Sequence, residues 1–245
     1  MQSAPNILII TPFKLRHRLF VKKLIECGAN VQGVVIDKSR SKTQLRSVLG
    51  LSRILNFVLS TSEFLEKGFI SLTGVPIFEV PSLRHSTLTD LLMKSKVELI
   101  VVYGGKVIPR STLDCIKSPC INIHGSILPG YRGLDSYWWA LIEGNSHLRG
   151  YTIHFVDEGI DTGSIIRTKS FDESGITSRK HFRWRLWIAE NAARDIFFVV
   201  AHGLLQQRGQ VNNKSESVYR SKITSYKMLR VIIFRLLSDK PKEFN

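Results

Sequence analysis

Ile121–Gly163, with the sequence INIHGSILPGYRGLDSYWWALIEGNSHLRGYTIHFVDEGIDTG, is predicted to form the centre of the fold. It is expected to contain, in order, a strand at 121–124, a loop with Pro and Gly at 126–133, a helix at 136–143, a strand at 150–156 and an acidic turn at 157–163. Successive side chains of a strand point to opposite faces of the sheet. Asn122 and His124, two residues apart, are therefore expected to project from the same face.

Strands and helices alternate before this stretch. Apolar runs at 6–11, 31–36, 75–80 and 97–103 predict strands, whereas helical spacing at 16–27 and 86–94 predicts helices, with one or two helical turns within 109–116. A strand, a helix and a second strand in this order favour parallel pairing through a right-handed crossover. The predicted fold class is α/β, a Rossmann-like, mainly parallel twisted sheet with flanking helices.

The chain after the central stretch predicts a strand at 164–171 and a long helix at 178–207. Residues 1–210 are assigned to one main domain, with 37–74 as an insertion that covers a sheet edge or forms a flap. Residues 211–245 are assigned to a basic, short helical C-terminal tail, in which Met228–Leu237 is amphipathic. This segment could pair with a second subunit in a homodimer, pack internally or touch a membrane surface.

The net charge of +15 is concentrated towards the C-terminus, where residues 177–245 contain 14 Lys and Arg against 5 Asp and Glu. An anionic partner such as a nucleotide, a phosphate, a nucleic acid or a membrane surface would explain this charge, and a solvated basic surface is an equal alternative. No apolar run suits a transmembrane helix and no basic region precedes the first apolar segment, so a cytoplasmic protein is expected.

Several common sites are excluded by the motifs that the chain lacks. Neither the GxGxxG dinucleotide fingerprint nor a Walker A loop is present. The three cysteines include no CxxC pair, so no disulfide framework and no zinc site is expected. Ser126 does not lie in a G-x-S-x-G elbow, which argues against a hydrolase serine.

Polar residues follow two of the predicted strands. Ligands of such sheets bind outside the carboxyl ends of the strands, where His124 ends one strand and Asp161 follows another. If these strands are neighbours, Asn122, His124 and Asp161 form a cluster at that edge. A carboxylate beside an imidazole raises the imidazole pKa, and an Asn amide can donate to a developing oxyanion. Such a site suits direct acyl transfer between a bound donor and a bound amine.

Chemistry alone leaves other interpretations of these residues open. A single histidine on a strand is often structural, and Asn122 could cap a backbone turn. The acidic residues of 157–161 could be ordinary turn residues. A metal site formed by His124, His154 and Asp161 lacks the usual HxxxH or HxE spacing, so no metal is expected.

Two ordered motifs go beyond this chemistry. The sequence NIHGSILPGYRG, followed by a Trp-containing helix and then YTIHFVDEGIDTGSII, closely resembles the signature of the formyltransferases that use 10-formyltetrahydrofolate. That family includes glycinamide ribonucleotide transformylase, methionyl-tRNA formyltransferase and the sugar N-formyltransferases. The resemblance covers residues 97–170 well and the opening strand, helix and strand loosely, but neither 37–74 nor the tail. It implies the formyltransferase fold and a catalytic domain at 1–210.

The resemblance also implies roles for individual residues. Asn122 and protonated His124 would stabilise the tetrahedral oxyanion, while Asp161 would orient His124 and help to relay a proton. The positions that match the folate pocket are Gly105, Lys106, Val107, Ile108, Val156, Asp157, Glu158 and Gly159. Those that match substrate-facing or supporting positions are Ser126, Arg132, Thr152 and His154, with a purely structural role as the alternative for Thr152 and His154.

The resemblance implies a primary amine on a small molecule as the formyl acceptor, and departures from the family pattern favour a nucleotide-linked amino sugar. The first turn lacks the Gly-Ser-Asn phosphate loop of the glycinamide ribonucleotide enzymes. The tail is expected to be too short for the C-terminal barrel of methionyl-tRNA formyltransferase. An aminoacyl-tRNA, an ornithine-type amine or a purine precursor is the alternative acceptor, and a non-catalytic folate-fold binding module is the alternative to an enzyme.

Overall fold

The computed structural model describes residues 4–39, 70–84, 86–94, 96–171, 183–206, 209–213 and 217–220. The strands are β1 (Asn6–Ile10), β2 (Asn30–Asp37), β3 (Ile77–Val80), β4 (Leu99–Tyr103), β5 (Cys120–His124), β6 (Tyr131–Gly133), β7 (Gly150–Phe155), β8 (Ile165–Ser170) and β9 (Val218–Arg220). The α-helices are α1 (Leu15–Glu26), α2 (Ser86–Lys94), α3 (Arg110–Leu113), α4 (Ser136–Ile142) and α5 (Trp184–Ala201), and short 3-10 helices lie at Ser146–Leu148 and Leu204–Gln206.

Seven strands form one sheet in the order β3-β2-β1-β4-β5-β7-β8. The five strands from β3 to β5 pair in parallel, whereas β7 runs antiparallel to β5 and β8 antiparallel to β7. Parallel strands need long crossovers, which the helices between them supply. The predicted α/β fold with a mainly parallel sheet is confirmed.

Helices cover both faces of this sheet. Along β1, Ile7 and Ile9 belong to the core that includes residues of α1 and α5, whereas Leu8 and Ile10 belong to the core that includes Leu88 of α2. This division follows from the two-residue period of a strand. A central strand that is buried on both faces reads as one continuous apolar run, which is why NILII was recognisable in the sequence.

A second, small sheet was not predicted. Residues 126–133 were expected to form a loop, but β6 within them pairs in parallel with β9 from the basic tail. Arg220 of β9 also forms an ion pair with Glu143, and its guanidinium lies over the rings of Tyr131 and Trp139. Three-residue strands are too short to show a hydrophobic period, so only the folded chain reveals this pairing.

Some sequence predictions lie wholly or partly outside the described residues. They are most of the insertion at 37–74, the first residues of the long helix predicted at 178–207, and the helical tail beyond residue 220. Within the described residues, α5 ends at Ala201, and no helix there is long and apolar enough to cross a membrane. The division of the chain at residue 210 stays a prediction.

Candidate active site

Strand β5 holds Asn122 and His124, and strand β7 precedes the loop that contains Asp161. The two strands are neighbours, but they are antiparallel. The carboxyl end of β7 therefore lies beside the start of β5, with Phe155 opposite Ile121, and the expectation that both carboxyl ends meet at one edge is wrong. The loop 156–164 instead turns back towards the carboxyl end of β5. A Cβ atom on Gly163 would lie 1.8 Å from the Phe155 carbonyl oxygen, so only glycine allows this close return.

The loop brings Asp161 to the other two residues of the predicted trio. The Oδ2 atom of Asp161 lies 3.2 Å from His124 Nδ1, and Oδ1 lies 3.2 Å from Asn122 Nδ2. The backbone N–H of Gly133 in β6 donates a further hydrogen bond of 2.8 Å to Oδ2. Asn122, His124 and Asp161 thus form one connected cluster.

The hydrogen bonds of His124 require both ring nitrogens to carry a proton. Nδ1 faces the Asp161 carboxylate, and Nε2 lies 2.7 Å from the carbonyl oxygen of Tyr131. A carboxylate and a carbonyl can only accept hydrogen bonds, so both nitrogens donate and the ring is an imidazolium. Ser126 lies behind this contact, with Oγ 3.1 Å from His124 Nε2 and donating to the Tyr131 carbonyl.

The electrostatics of the pair agree with this assignment. Burial by itself would lower the pKa of His124, but the charge and hydrogen bond of Asp161 and the Tyr131 carbonyl raise that pKa above its ordinary value. Burial by itself would raise the pKa of Asp161, but the charge and hydrogen bond of His124, together with the Gly133 N–H, hold it far below its ordinary range. The result is a buried ion pair with its charges in place near neutral pH.

Asn122 is fixed by a second histidine. His154 lies directly opposite Asn122 in the sheet, and its Nε2 is 3.0 Å from Asn122 Nδ2. The Nδ1 atom of His154 lies 2.7 Å from the Phe155 carbonyl and must donate to it, so in the neutral ring Nε2 accepts from the Asn122 amide. Both N–H bonds of Asn122 are then directed at Asp161 and His154, and its Oδ1 is left to accept from a ligand.

A pocket of about 440 Å³ lies over this cluster. Its wall includes Asn122, His124, Asp161, His154 and seven of the eight positions predicted for folate, namely Gly105, Lys106, Val107, Ile108, Val156, Asp157 and Gly159. The remaining position, Glu158, is not part of the wall; its exposed side chain forms an ion pair with Arg110. Lys106 is held 3.2 Å from the Asp37 carboxylate.

The other predicted supporting residues do not line the pocket. Thr152 is fully buried; its hydroxyl donates to the Ser126 carbonyl and accepts from the Leu128 N–H. Ser126 is likewise fully buried. Arg132 lies in β6 and does not line the pocket. Thr152 and Ser126 hold the loop around His124 by hydrogen bonds, and none of the three residues lines the pocket.

Sequence reasoning missed several residues of the pocket wall. Arg16 of α1, Arg185 of α5 and Tyr219 of β9 all line it. The burial of His17, followed by the charges of Arg16, Lys14 and Arg185, lowers the pKa of His17 well below its ordinary value, so these three cations lie near the His17 ring. Arg16 and Arg185 are far apart in the chain, so no local motif joins them. The one sequence signal for a cationic pocket was the excess of basic residues.

A model of one protein family, described as formyl transferase, matches residues 15–174. The matched region contains Asn122, His124 and Asp161 and covers well over half of the chain. The chain belongs to the formyl transferase family. The predicted family resemblance is thereby confirmed.

Other members of the formyl transferase family resemble the chain in sequence or in fold. A methionyl-tRNA formyltransferase from Pelotomaculum thermopropionicum is 33% identical over 147 residues, which are 60% of this chain and 42% of that protein. The chain therefore spans less than half the length of this relative. The structure of a 4-N-formyltransferase from Francisella tularensis superposes with a TM-score of 0.58 at 20% identity. The match covers 98% of this chain and 90% of the Francisella chain.

A further structure is that of a sugar 3-N-formyltransferase with dTDP and 5-N-formyl-THF, with a TM-score of 0.54 at 17% identity. The match covers 90% of this chain and 71% of the chain of that enzyme. At these identities, the two structures establish a shared fold. Within the described residues, no group of three or more His, Cys, Asp or Glu side chains is arranged to hold a metal ion.

Asp161→Asn is expected to destabilise the protein more under acid than under alkaline conditions. The folded pKa of Asp161 is lowered from 3.8 and that of His124 is raised from 6.5, so the pair stabilises the fold most between those two values. Its contribution is lost as pH rises through the folded pKa of His124. Urea unfolding should show a loss of roughly 3–5 kcal/mol at about pH 5 and a smaller loss at about pH 8.

The matched control for this experiment is Asp114→Asn. Asp114 forms an exposed ion pair with Arg110 and lies away from the pocket wall, so its replacement should change the free energy of unfolding little at either pH. An Asp161→Asn effect that is equal at both pH values would contradict the buried ion pair.

Proposed function

We propose that this protein transfers a formyl group from 10-formyltetrahydrofolate to a primary amine on a nucleotide-linked amino sugar. The observation that carries the proposal is the buried His124–Asp161 ion pair, which adjoins Asn122 in the wall of one pocket. Formyl transfer needs a positive charge near the formyl oxygen and a group that orients the amine. The three side chains can provide both.

His124 and Asp161 supply the electrostatic part of this mechanism. The imidazolium places a positive charge beside the pocket, where it stabilises negative charge that develops on the formyl oxygen. Asp161 keeps the ring protonated and correctly oriented. Because the amine loses one proton in the reaction and the leaving nitrogen gains one, the pair can release a proton and then recover it.

Asn122 orients the acceptor in this proposal. Its N–H bonds are directed at Asp161 and His154, so Oδ1 is the part of the amide that can accept a hydrogen bond from the attacking amine. The family resemblance implied that the Asn122 N–H would bind the oxyanion. That role would require the amide to give up its bond to His154 or to Asp161.

The pocket fits a reduced folate as formyl donor. The folate supplies the formyl group in an activated form. Residues 104–108, 156, 157 and 159–161 line one part of the wall. Their backbone N–H and C=O groups suit a heterocycle. Val107 and Ile160 are exposed apolar residues in the same wall, and they suit the flat apolar surface of the donor.

The cations of the pocket support an anionic acceptor. Arg16 and Arg185 line the wall. Burial of His17 is the main reason why its pKa is lowered, and the charges of Arg16, Lys14 and Arg185 lower it further, so the potential at this part of the wall is positive. A guanidinium binds phosphate oxygens in a forked geometry. A sugar that is joined to a nucleoside diphosphate presents such oxygens, and the sugar 3-N-formyltransferase with dTDP has the same fold.

A formyltransferase acting on an aminoacyl-tRNA is the second candidate. The observation in its favour is that the relatives identified by sequence are methionyl-tRNA formyltransferases, one of them 39% identical over 93 residues. The high net charge agrees with it as well. Because the chain spans less than half of these relatives, their substrate is carried over only as this alternative.

Asn122→Ala, His124→Ala and Asp161→Ala should each lower kcat for formyl transfer by roughly 10²–10⁴-fold, because each removes a group that acts on the reacting atoms. Circular dichroism should show that the variants remain folded. A non-catalytic folate-binding module would instead be stabilised by a reduced folate and show no turnover with any amine. Near-wild-type rates in all three variants would rule out the mechanism.

Arg16→Ala and Arg185→Ala should each raise KM for a nucleotide-linked amino sugar by roughly tenfold or more, since each removes a charged hydrogen-bond donor. The value of kcat should change much less. Lys22→Ala is the matched control, because Lys22 lies on the exposed side of α1 beside Glu26 and should leave KM unchanged. An unchanged KM in both arginine variants would argue against an anionic acceptor at this position.

The two acceptor classes should differ in their dependence on salt. Transfer to an aminoacyl-tRNA should weaken steeply as salt rises, because several phosphate contacts release counterions, whereas transfer to a nucleotide-linked sugar should change little. Rates with both acceptors at low and high salt measure this difference. Activity with the RNA alone would replace the first candidate by the second.

A further inference from the structure

We propose that Asn212 is a positioning residue for formyl transfer, because its amide holds the backbone of Asp161 in the conformation that directs the carboxylate at His124. The proposal rests on the proposed function of the Asn122, His124 and Asp161 cluster. Asn212 lies outside residues 15–174, the part of the chain that the family model matches. Part of the catalytic geometry would then come from a segment that the family motif does not include.

Asp161 has an unusual backbone conformation. Its φ angle is +52°, in the left-handed region that residues other than glycine rarely adopt. This conformation persists only where the surroundings impose it. The carboxylate of Asp161 must reach both His124 and Asn122, so the conformation of this one residue determines whether the cluster forms.

Asn212 imposes that conformation from behind. Its Nδ2 donates one hydrogen bond of 3.0 Å to the Asp161 carbonyl and another of 3.1 Å to the Gly163 carbonyl. The two bonds bracket Thr162 and use both hydrogens of the amide. Asn212 is buried, with 7% of its surface exposed, so water does not compete freely for these carbonyls.

The segment around Asn212 is itself anchored to the sheet. Gln210 forms an antiparallel bridge with Ile165 at the start of β8, with backbone hydrogen bonds of 2.8 and 2.7 Å. A Cβ atom on Gly209 would lie 2.6 Å from the Ile165 carbonyl oxygen, so the segment approaches β8 very closely. Asn212 therefore has a rigid support from which to hold the loop.

The experiment compares Asn212→Leu and Asn212→Asp with Val211→Ala. Leu has the same number and branching of side-chain heavy atoms as Asn but no donors, and Asp keeps the shape but replaces the donors by acceptors that face two carbonyls. Both variants should lower kcat by roughly 10–100-fold, because a small displacement of a catalytic group is costly. Val211 is 88% exposed between Gln210 and Asn212, so its replacement should leave kcat unchanged.

Two readouts separate positioning from general loss of structure. In an Asp161→Ala background, Asn212→Leu should have no further effect on kcat, because the carboxylate that Asn212 positions is already absent. NMR should also show that the His124 ring titrates at a lower pH in Asn212→Leu than in the wild type. Among the described residues, His124 faces Asp161, the Tyr131 carbonyl, Ser126 and the ring of His154, so loss of the Asp161 contact removes a negative charge from beside the ring.

The possible outcomes are distinct. Wild-type kcat and an unchanged His124 titration in both Asn212 variants would overturn the proposal. An equal loss of kcat with and without Asp161 would also overturn it, because Asn212 would then act on stability alone. If the wild-type protein transfers no formyl group to any amine, the proposed function fails, while the NMR titration still decides whether Asn212 positions Asp161.

Discussion

The buried ion pair between His124 and Asp161 is the interaction on which the rest of the site depends. Removing two charges from water is costly, and their mutual attraction compensates only if hydrogen bonds satisfy the remaining polar atoms. The Tyr131 carbonyl and the Gly133 N–H, both in β6, serve this purpose. The small sheet of β6 and β9 thus completes the surroundings of a charge pair that would otherwise be unfavourable.

The change from parallel to antiparallel pairing after β5 has a direct consequence for chemistry. It puts His154 opposite Asn122, and the loop after β7 must return along the sheet to bring Asp161 to His124. Gly163 permits that return, and the left-handed backbone of Asp161 turns the carboxylate inward. Two backbone features that lie outside regular structure therefore decide the geometry of a buried ion pair.

The pocket joins two kinds of surface around this pair. Residues 104–108, 156, 157 and 159–161, with exposed apolar side chains among them, form one part of the wall, and Arg16 and Arg185 form another. The first part suits the flat heterocyclic donor of the proposed reaction, and the second part suits its anionic acceptor. The cations arise from α1 and α5, so the same helices that bury the sheet also give the pocket its charge.

The sequence by itself determined the strands of the seven-stranded sheet and the helices that cover it, because buried strands and amphipathic helices leave a periodic apolar pattern. It also indicated Asn122, His124 and Asp161, since their motif resembles that of a known family. Tertiary structure alone decided the pairing of β6 with β9, the support of Asp161 by Asn212 and the grouping of Arg16 with Arg185. These contacts join residues that are far apart in the chain, and some of the segments are too short to show a hydrophobic period. A local sequence pattern therefore does not predict them.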